Sequence, residues 1–238
     1  MINRSDIEGI VNDLSTSHEG FCNEQHLRFE FALKLEQKLN QNSQHYNIYP
    51  EYYYTVKNYN DDLVEMYFDL LVCDSSTGDS TIFEFKYKTI EEDIKIHNNI
   101  DYKLKEQGAV ALGSFDIWKD IERMEYCIEQ DTSKIIKQGF LIFITNDGKY
   151  YDAKTPMGKD TNYTCFKDFY VKADTYYKGN KTIDPNVSEN SAGKIRKKHI
   201  LRTSVEGQIL ITNDYDFEYN VFGTKNNSKF RSLVIEIK

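Results

Sequence analysis

Apolar side chains recur at helical spacing near the start of the chain, after a polar lead. They are Leu27, Phe31, Leu35 and Leu39. This spacing places them on one stripe of a helix, and Asn23 precedes them as a candidate N-cap. The pattern predicts an amphipathic helix over 23–40. Glu24 projects onto the same stripe, whereas Glu30 points to its side.

A second helix is predicted over Ser114–Gln130, with Ser114 as candidate N-cap. Its apolar stripe is formed by Ile117, Ile121, Met124 and Ile128. Asp120 and Arg123 flank this stripe at the spacing of an ordinary surface ion pair. The segment 90–111 mixes charged residues with short apolar runs, and it is predicted to form short helical pieces.

Strand patterns occupy the regions between these helices. Ile48–Val56 is a predicted strand, and Val64–Cys73 and Thr81–Lys88 flank a run of turn-forming residues. Turn formers at that position predict an antiparallel hairpin. The continuous apolar run Gly139–Thr145 predicts a central strand buried on both faces. Further strands are predicted over 208–212, 215–222 and 232–238.

Charged residues interrupt the two strands of the predicted hairpin. Asp69 lies in the first strand, and Glu84 and Lys86 lie in the second. Strand alternation places Glu84 and Lys86 on one face and Phe85 on the other. Burial of charge is costly without compensation, and carboxylate oxygens are the ligands that Mg²⁺ prefers. The hairpin therefore predicts a divalent-cation site with a lysine beside it.

The order Asp69, hairpin, Glu84-x-Lys86 resembles the motif of the PD-(D/E)XK nuclease superfamily. The flanking segments FCNEQHLRFEFALKL, GSFDIWKDIERMEYCI and GFLIFITND resemble an uncharacterised bacterial group with this fold. The resemblance covers roughly Phe21–Asp147. Phe68 stands where the superfamily's name places a proline, but the residue at this position varies among such nucleases.

The resemblance implies an α/β fold with a restriction-endonuclease-like core, in which a mixed central β-sheet is flanked by helices. The chain is expected to form one domain over 1–238, with a core at about 21–147 and a β-rich C-terminal segment over 148–238. The resemblance implies an Mg²⁺-dependent DNA endonuclease with a biological role in restriction or defence. Mn²⁺ is expected to substitute for Mg²⁺.

The same resemblance implies roles for individual residues. Asp69, Glu84 and the backbone carbonyl of Phe85 are expected to hold Mg²⁺, with Lys86 acting on the attacking water. Such nucleases often draw another acidic group from the first helix, and Glu24 is the candidate. The alternative is that Glu24 only interacts with the helix dipole in the first turn. Gln107 corresponds to a glutamine that some of them carry on the following helix, although Ala111 replaces the usual tyrosine four residues later.

The composition is acidic, with 30 Lys and Arg residues against 38 Asp and Glu and a formal net charge of −8. This charge opposes general attraction to a polyanion, so DNA contact would have to be local. Candidate DNA-binding residues are Lys88, Lys194, Arg196, Lys197 and Lys198. A solvated loop and strand face is the alternative interpretation of the cluster from 194 to 202.

The N-terminal twenty residues lack the apolar region of a signal peptide, and no apolar run is long enough to span a membrane. We expect a cytoplasmic protein without a membrane partner. The four cysteines, Cys22, Cys73, Cys127 and Cys165, lack zinc-site spacing, which disfavours structural zinc and a disulfide scaffold. Reduced thiols are expected instead.

Two alternatives to an active nuclease stay open. In the first, the chain is a catalytically inactive nucleic-acid-binding or interaction module. In the second, it is an unrelated α+β protein in which Asp69, Glu84 and Lys86 form cross-strand ion pairs. A homodimer is expected if the enzyme cuts both DNA strands. No P-loop, dinucleotide-binding glycine motif or H-E-x-x-H zinc motif is present.

Overall fold

The computed structural model describes residues 2–41, 45–96, 100–107, 110–152, 171–173, 175–183, 201–203, 208–223 and 228–238. The helices in these ranges are α1 (Arg4–Ser17), α2 (Glu24–Gln41), α3 (Val110–Gln130) and α4 (Gly148–Tyr151). The strands are β1 (Tyr46–Lys57), β2 (Leu63–Asp74), β3 (Ser80–Lys88), β4 (Glu92–Ile96), β5 (Ile100–Leu104), β6 (Ile136–Thr145), β7 (Thr175–Tyr177), β8 (Lys181–Ile183), β9 (Ile209–Ile211), β10 (Tyr215–Phe217), β11 (Tyr219–Val221) and β12 (Arg231–Ile237).

Six strands form the main sheet in the order β1-β2-β3-β6-β12-β11. Strands β3 and β6 are parallel, and every other neighbouring pair in this sheet is antiparallel. The fold is therefore α/β with a mixed sheet, as predicted. Strand β12 pairs with β6 along its length, so residues near the C-terminus complete the central sheet rather than standing apart from it.

Helices α1 and α2 cover one face of the sheet, and α3 covers the other with the short strand pairs β7–β10 and β8–β9. Strand β6 contributes to both cores: Phe140 and Ile142 face α2, while Leu141 and Phe143 face α3. This confirms the prediction of a central strand buried on both faces. A continuous apolar run is required there because neither face of β6 meets water.

The helix predicted over 23–40 is α2. Its predicted apolar stripe is buried, and the Oδ1 of Asn23 accepts a hydrogen bond from the His26 amide at 2.8 Å, which confirms the N-cap. Ser114 is not an N-cap, because α3 begins at Val110 and Ser114 lies inside the helix. Among the described helices, none has the length and apolar character needed to cross a membrane.

The helical interpretation of residues 90–111 is wrong for 90–96 and 100–107, whereas residues 110 and 111 begin α3. Strands β4 and β5 form an antiparallel hairpin there, and Ile94 and Leu104 bury their side chains in the core beneath α1 and α2. Each strand has only five residues. Alternation over so short a segment was too weak a signal to separate strand from helix.

The predicted strands near the C-terminus are present, with altered limits. The segment 208–212 contains β9, 232–238 corresponds to β12, and 215–222 forms two short strands, β10 and β11, rather than one. Trp118 of α3 is fully buried against Tyr177 and Phe217 from this part of the chain. Trp118 is therefore a core residue.

Candidate functional site

Strands β2 and β3 separate at the level of Asp69. Their pairing runs from Cys73 opposite Ser80 to Leu70 opposite Phe83 and ends there within the two strands. Strand β2 also changes face at this point: Leu70 packs beneath α2, whereas Phe68 packs on the side of α3. Regular alternation would have placed both residues on one face. Asp69 thus lies where the strand rotates.

The carboxylate of Asp69 occupies the gap that this separation opens. Its Oδ2 accepts a hydrogen bond from the Phe85 amide of β3 at 2.7 Å. Its Oδ1 lies 2.6 Å from Nη2 of Arg28 on α2. The side chain therefore satisfies a backbone donor of β3 beyond the last paired residue of β2.

Glu24 makes the corresponding contact two residues further along β3. It is the first residue of α2, and its Oε2 accepts a hydrogen bond from the Tyr87 amide at 3.0 Å. A strand residue directs its amide and its carbonyl to the same side. The carbonyl of Phe85 is thus directed toward the same edge as Asp69 and Glu24.

Glu84 and Lys86 project from β3 toward α3 and meet two charged residues there. Lys86 Nζ lies 2.6 Å from Asp120 Oδ2. Arg123 Nη1 lies 2.7 Å from Asp120 Oδ1 and 3.3 Å from Glu84 Oε1. The Nη2 of Arg123 donates to the carbonyl oxygen of Tyr67 at 2.6 Å. These contacts join β2, β3 and α3 into one ionic network.

The ion pair predicted between Asp120 and Arg123 is present, but it does not lie at the surface. Only 2% of the Asp120 side chain and 17% of the Arg123 side chain are exposed. The three-residue spacing correctly predicted the contact between them. The spacing could not predict that the pair is buried against Glu84 and Lys86 of β3.

Burial raises the pKa of Glu84 well above its ordinary value, and the nearby carboxylate of Asp120 raises it further. Arg123 and Lys86 oppose this effect without cancelling it. In Asp120 burial also acts to raise the pKa, but Lys86 and Arg123 outweigh it and hold that pKa well below its usual range. The two carboxyls are thus shifted in opposite directions, Glu84 toward its neutral form and Asp120 toward its ionised form.

Burial also raises the pKa values of the two carboxylates at the opened strand edge, Asp69 and Glu24. Burial raises the pKa of Asp69 against the lowering effects of the Phe85 amide and Arg28. It also raises the pKa of Glu24 against Lys86 and the Tyr87 amide. Burial acts to lower the pKa of Lys86, but the surrounding carboxylates raise it above its ordinary value, so Lys86 is a cation.

These residues fit a divalent cation. Several partly or fully buried carboxylates with raised pKa values surround a single strand edge, and a nearby cation would stabilise their ionised forms. Four carboxylates and three cationic side chains interact here, and Lys88 also acts on Glu24, so the charges of the site are nearly balanced when all are ionised. The carboxylates are Glu24, Asp69, Glu84 and Asp120, and the three cationic side chains are Arg28, Lys86 and Arg123.

The four main residues predicted for the site, Glu24, Asp69, Glu84 and Lys86, are close enough to influence one another's titration. Lys88 ends β3 half-buried, and its charge helps to lower the pKa of Glu24. Gln107 is exposed between β5 and α3, so its predicted position on a helix is wrong. The predicted basic residues Lys194, Arg196, Lys197 and Lys198 lie outside the described residues.

Sequence reasoning missed Arg28 and undervalued Asp120 and Arg123. Arg28 lies one turn after Glu24 on α2, a spacing that places both on the same side of the helix. Asp120 directly precedes Ile121 of the buried stripe of α3, and this was the available signal for its burial. Arg202, the last residue of the predicted basic cluster, instead pairs with Glu125 at 3.4 Å and Glu129 at 2.7 Å.

Comparison with known proteins returned no matching family model, no matching curated protein and no matching solved structure.

Proposed function

We propose that this chain is an Mg²⁺-dependent DNA endonuclease with a restriction-endonuclease-like fold. One observation carries the proposal: β2 leaves β3 at Asp69, and the opened edge gathers Asp69, Glu24 and the Phe85 carbonyl beside Glu84 and Lys86. The resemblance in sequence order supports the same conclusion. Carboxylates gathered at the point where a sheet separates contribute little to its stability, because nearby like charges disfavour each other's ionised forms.

Asp69, Glu84 and the Phe85 carbonyl would hold the Mg²⁺ ion, with Glu24 supporting a second ion or positioning water. Mg²⁺ usually keeps several waters and needs only one or two protein carboxylates. Bound there, it would lower the pKa of a coordinated water and neutralise charge on the phosphate. Such a cation would also favour the ionised form of Glu84, which burial disfavours.

Lys86 supplies positive charge at the reacting phosphate or orients the attacking water. Its contact with Asp120 holds the ammonium beside Glu84. A fixed positive charge in a water-poor site stabilises a developing negative charge more strongly than the same charge in solvent. Asp120 is thus a positioning residue for Lys86, and Arg123 is a positioning residue for Glu84.

DNA binding must overcome a net charge of −8. Lys88, two residues beyond Lys86, supplies a positive charge at the end of the same strand and would contact the phosphate backbone. One site cuts one strand at a time, so cleavage of both strands favours a homodimer. This dimer is part of the proposal and is tested by the mass of the protein in solution with and without DNA.

The test is conversion of supercoiled plasmid to nicked or linear DNA. The proposal expects cleavage with Mg²⁺ or Mn²⁺, none with excess chelator, and none with Glu84→Gln. Glu65→Gln is the matched control, because Glu65 is an exposed residue of β2 that contacts Tyr53 and lies outside the network. Cleavage in excess chelator, or equal cleavage by Glu84→Gln and wild type, would refute the proposed mechanism.

A second candidate is a catalytically inactive module with the same fold. The observation in its favour is that Lys86 and Arg123 already pair with Asp120 and Glu84, so the charges of the site are nearly balanced without a metal. This candidate expects DNA or protein binding without cleavage. Calorimetry with Mg²⁺ separates the two, because the inactive module has no need of an ion at Asp69 and Glu84.

A further inference from the structure

A second group of metal-ligating side chains lies where α1 ends and α2 begins. His18 caps the C-terminus of α1 and is 5% exposed. His26 and Glu30 lie one turn apart on α2, and 22% and 25% of their side chains are exposed. One ligand atom from each of these three residues lies within 4.8 Å of the other two.

Glu30 lies between the two imidazoles. Its Oε1 is 3.6 Å from Nε2 of His26, and its Oε2 is 3.9 Å from Nε2 of His18. Ligands that bind zinc tetrahedrally at about 2.0–2.1 Å are separated by about 3.4 Å. The two Glu30 distances exceed this value by a few tenths of an ångström, and no two of the three ligand atoms lie more than 4.8 Å apart. Rotation of the side chains can close these gaps.

The contacts of His18 permit the tautomer of a metal ligand. The Ser17 hydroxyl lies 3.2 Å from the carbonyl oxygens of Asp13 and Leu14, to which it donates. Ser17 Oγ is also 2.9 Å from Nδ1 of His18. In the tautomer that carries its proton on Nδ1, His18 donates to this hydroxyl and directs the Nε2 lone pair toward Glu30, as in histidines that bind metals.

We propose that His18, His26 and Glu30 form a site for a transition-metal ion of the Zn²⁺ class. Two imidazoles with one carboxylate form a known zinc ligand set, and a water would complete the tetrahedron. Imidazole nitrogen favours Zn²⁺, Co²⁺ and Ni²⁺, whereas Mg²⁺ requires oxygen ligands. This site is therefore chemically distinct from the one at Asp69 and Glu84 and does not depend on the proposed nuclease activity.

Metal binding at His26 requires a change of tautomer. The Cys22 amide donates to Nδ1 of His26 at 3.2 Å, so the neutral ring carries its proton on Nε2, facing Glu30. Coordination through Nε2 requires this proton to move to Nδ1, which disrupts the contact with Cys22. The Cys22 amide should therefore report on metal binding.

The site would join the two helices next to the segment that delivers Glu24. Phe21 stacks on His18 with ring centroids 5.1 Å apart, and its amide donates to the Tyr87 hydroxyl at 2.9 Å. The Tyr87 amide in turn donates to Glu24. An ion that binds only the folded chain raises its stability, so Zn²⁺ should raise the melting temperature.

Calorimetric titration of the chelator-treated full chain with Zn²⁺, in excess Mg²⁺, tests the proposal. We expect one tightly bound Zn²⁺ per chain, a rise in melting temperature and a shifted Cys22 amide resonance. His26→Gln and Glu30→Gln should each weaken binding by more than about tenfold, because even the loss of an outer hydrogen-bond partner costs 10–100-fold. Both residues are partly exposed, so both variants should fold.

Two control variants identify the ligands. Asp69→Asn should retain the Zn²⁺ affinity, since that residue belongs to the other site, and Cys22→Ser should retain it if the thiol is not a ligand. Loss of affinity in either control would overturn the assignment. Wild-type affinity in both His26→Gln and Glu30→Gln would overturn it too, as would failure of wild type to bind Zn²⁺.

Discussion

Lys86 Nζ lies 2.6 Å from Oδ2 of Asp120, so the lysine of the Glu-x-Lys pair is held by a carboxylate from α3. Both groups are largely buried, with 16% and 2% of their side chains exposed. The contact links the strand that carries the proposed chemistry to the helix on one face of the sheet. Stability and activity should therefore both depend on Asp120.

Asp120→Asn should destabilise the fold and reduce cleavage. Removing one partner of a buried ion pair costs about 3–5 kcal/mol, because the remaining charge stays buried without compensation. Urea unfolding measures the loss. Asp116→Asn on the same helix is the control, since 42% of its side chain is exposed and its contact with Lys119 is 3.9 Å long. That substitution should cost less than about 1 kcal/mol. Equal stability of the two variants would contradict the buried network.

Glu84→Gln should abolish cleavage and Mg²⁺ binding without loss of stability at neutral pH. The wild-type carboxylate is buried beside Asp120, so its ionisation is unfavourable, and the neutral amide removes that cost. Chemical denaturation without metal, together with calorimetry in Mg²⁺, measures both effects. A loss of several kilocalories per mole would support the view that Glu84 serves mainly as an ion-pair partner of Arg123.

In the absence of metal, the titration of Glu84 should lower the free energy of unfolding as the pH rises above 4.5. The folded chain raises the pKa of Glu84 above the ordinary value of 4.5. Above pH 4.5 the unfolded chain therefore releases a proton that the folded chain still binds, and the free energy of unfolding decreases until the pH passes the folded pKa. Glu84→Gln should flatten this dependence, and Mg²⁺ should reduce it in wild type. An identical pH profile for wild type and Glu84→Gln would contradict the raised pKa.

Asp69→Ala should be less stable than Asp69→Asn, although neither should cleave DNA. Alanine leaves the Phe85 amide without its 2.7 Å acceptor, and an unsatisfied buried donor costs about 1–3 kcal/mol. Asparagine keeps an oxygen at that position. Thermal unfolding compares the two variants, with Asp61→Asn in the exposed turn after β1 as a control. Equal stability of the alanine and asparagine variants would show that Asp69 does not cap the edge of β3.

Lys86→Ala and Lys88→Ala should affect different steps of the reaction. Lys86→Ala should lower the rate at saturating DNA while Mg²⁺ binding persists. Lys88 lies about 6–7 Å further along the strand. Lys88→Ala should therefore weaken DNA binding and reduce the number of counterions released on binding by about one. Single-turnover cleavage and binding at several salt concentrations separate these effects. The reverse pattern, with turnover lost only in Lys88→Ala, would show that the lysine roles are exchanged.

Long, strongly periodic segments were predictable. The stripe from Leu27 to Leu39 and the apolar run from 139 to 145 identified α2 and β6, because burial of a helix face or of both strand faces requires such patterns. The β4–β5 hairpin was missed because each strand has only five residues. The N-terminal segment, treated as a polar lead, contains α1, which buries Ile7, Ile10 and Leu14 on the sheet.

The sequence by itself determined which residue types meet on the hairpin, since turn chemistry and strand alternation depend on neighbouring residues. Only the tertiary structure decided that β2 rotates at Asp69, that Glu24 and Asp69 accept the amides of Tyr87 and Phe85, and that Lys86 pairs with Asp120. These relationships join segments far apart in the chain. They depend on how α2 and α3 pack across the sheet, which no local pattern encodes.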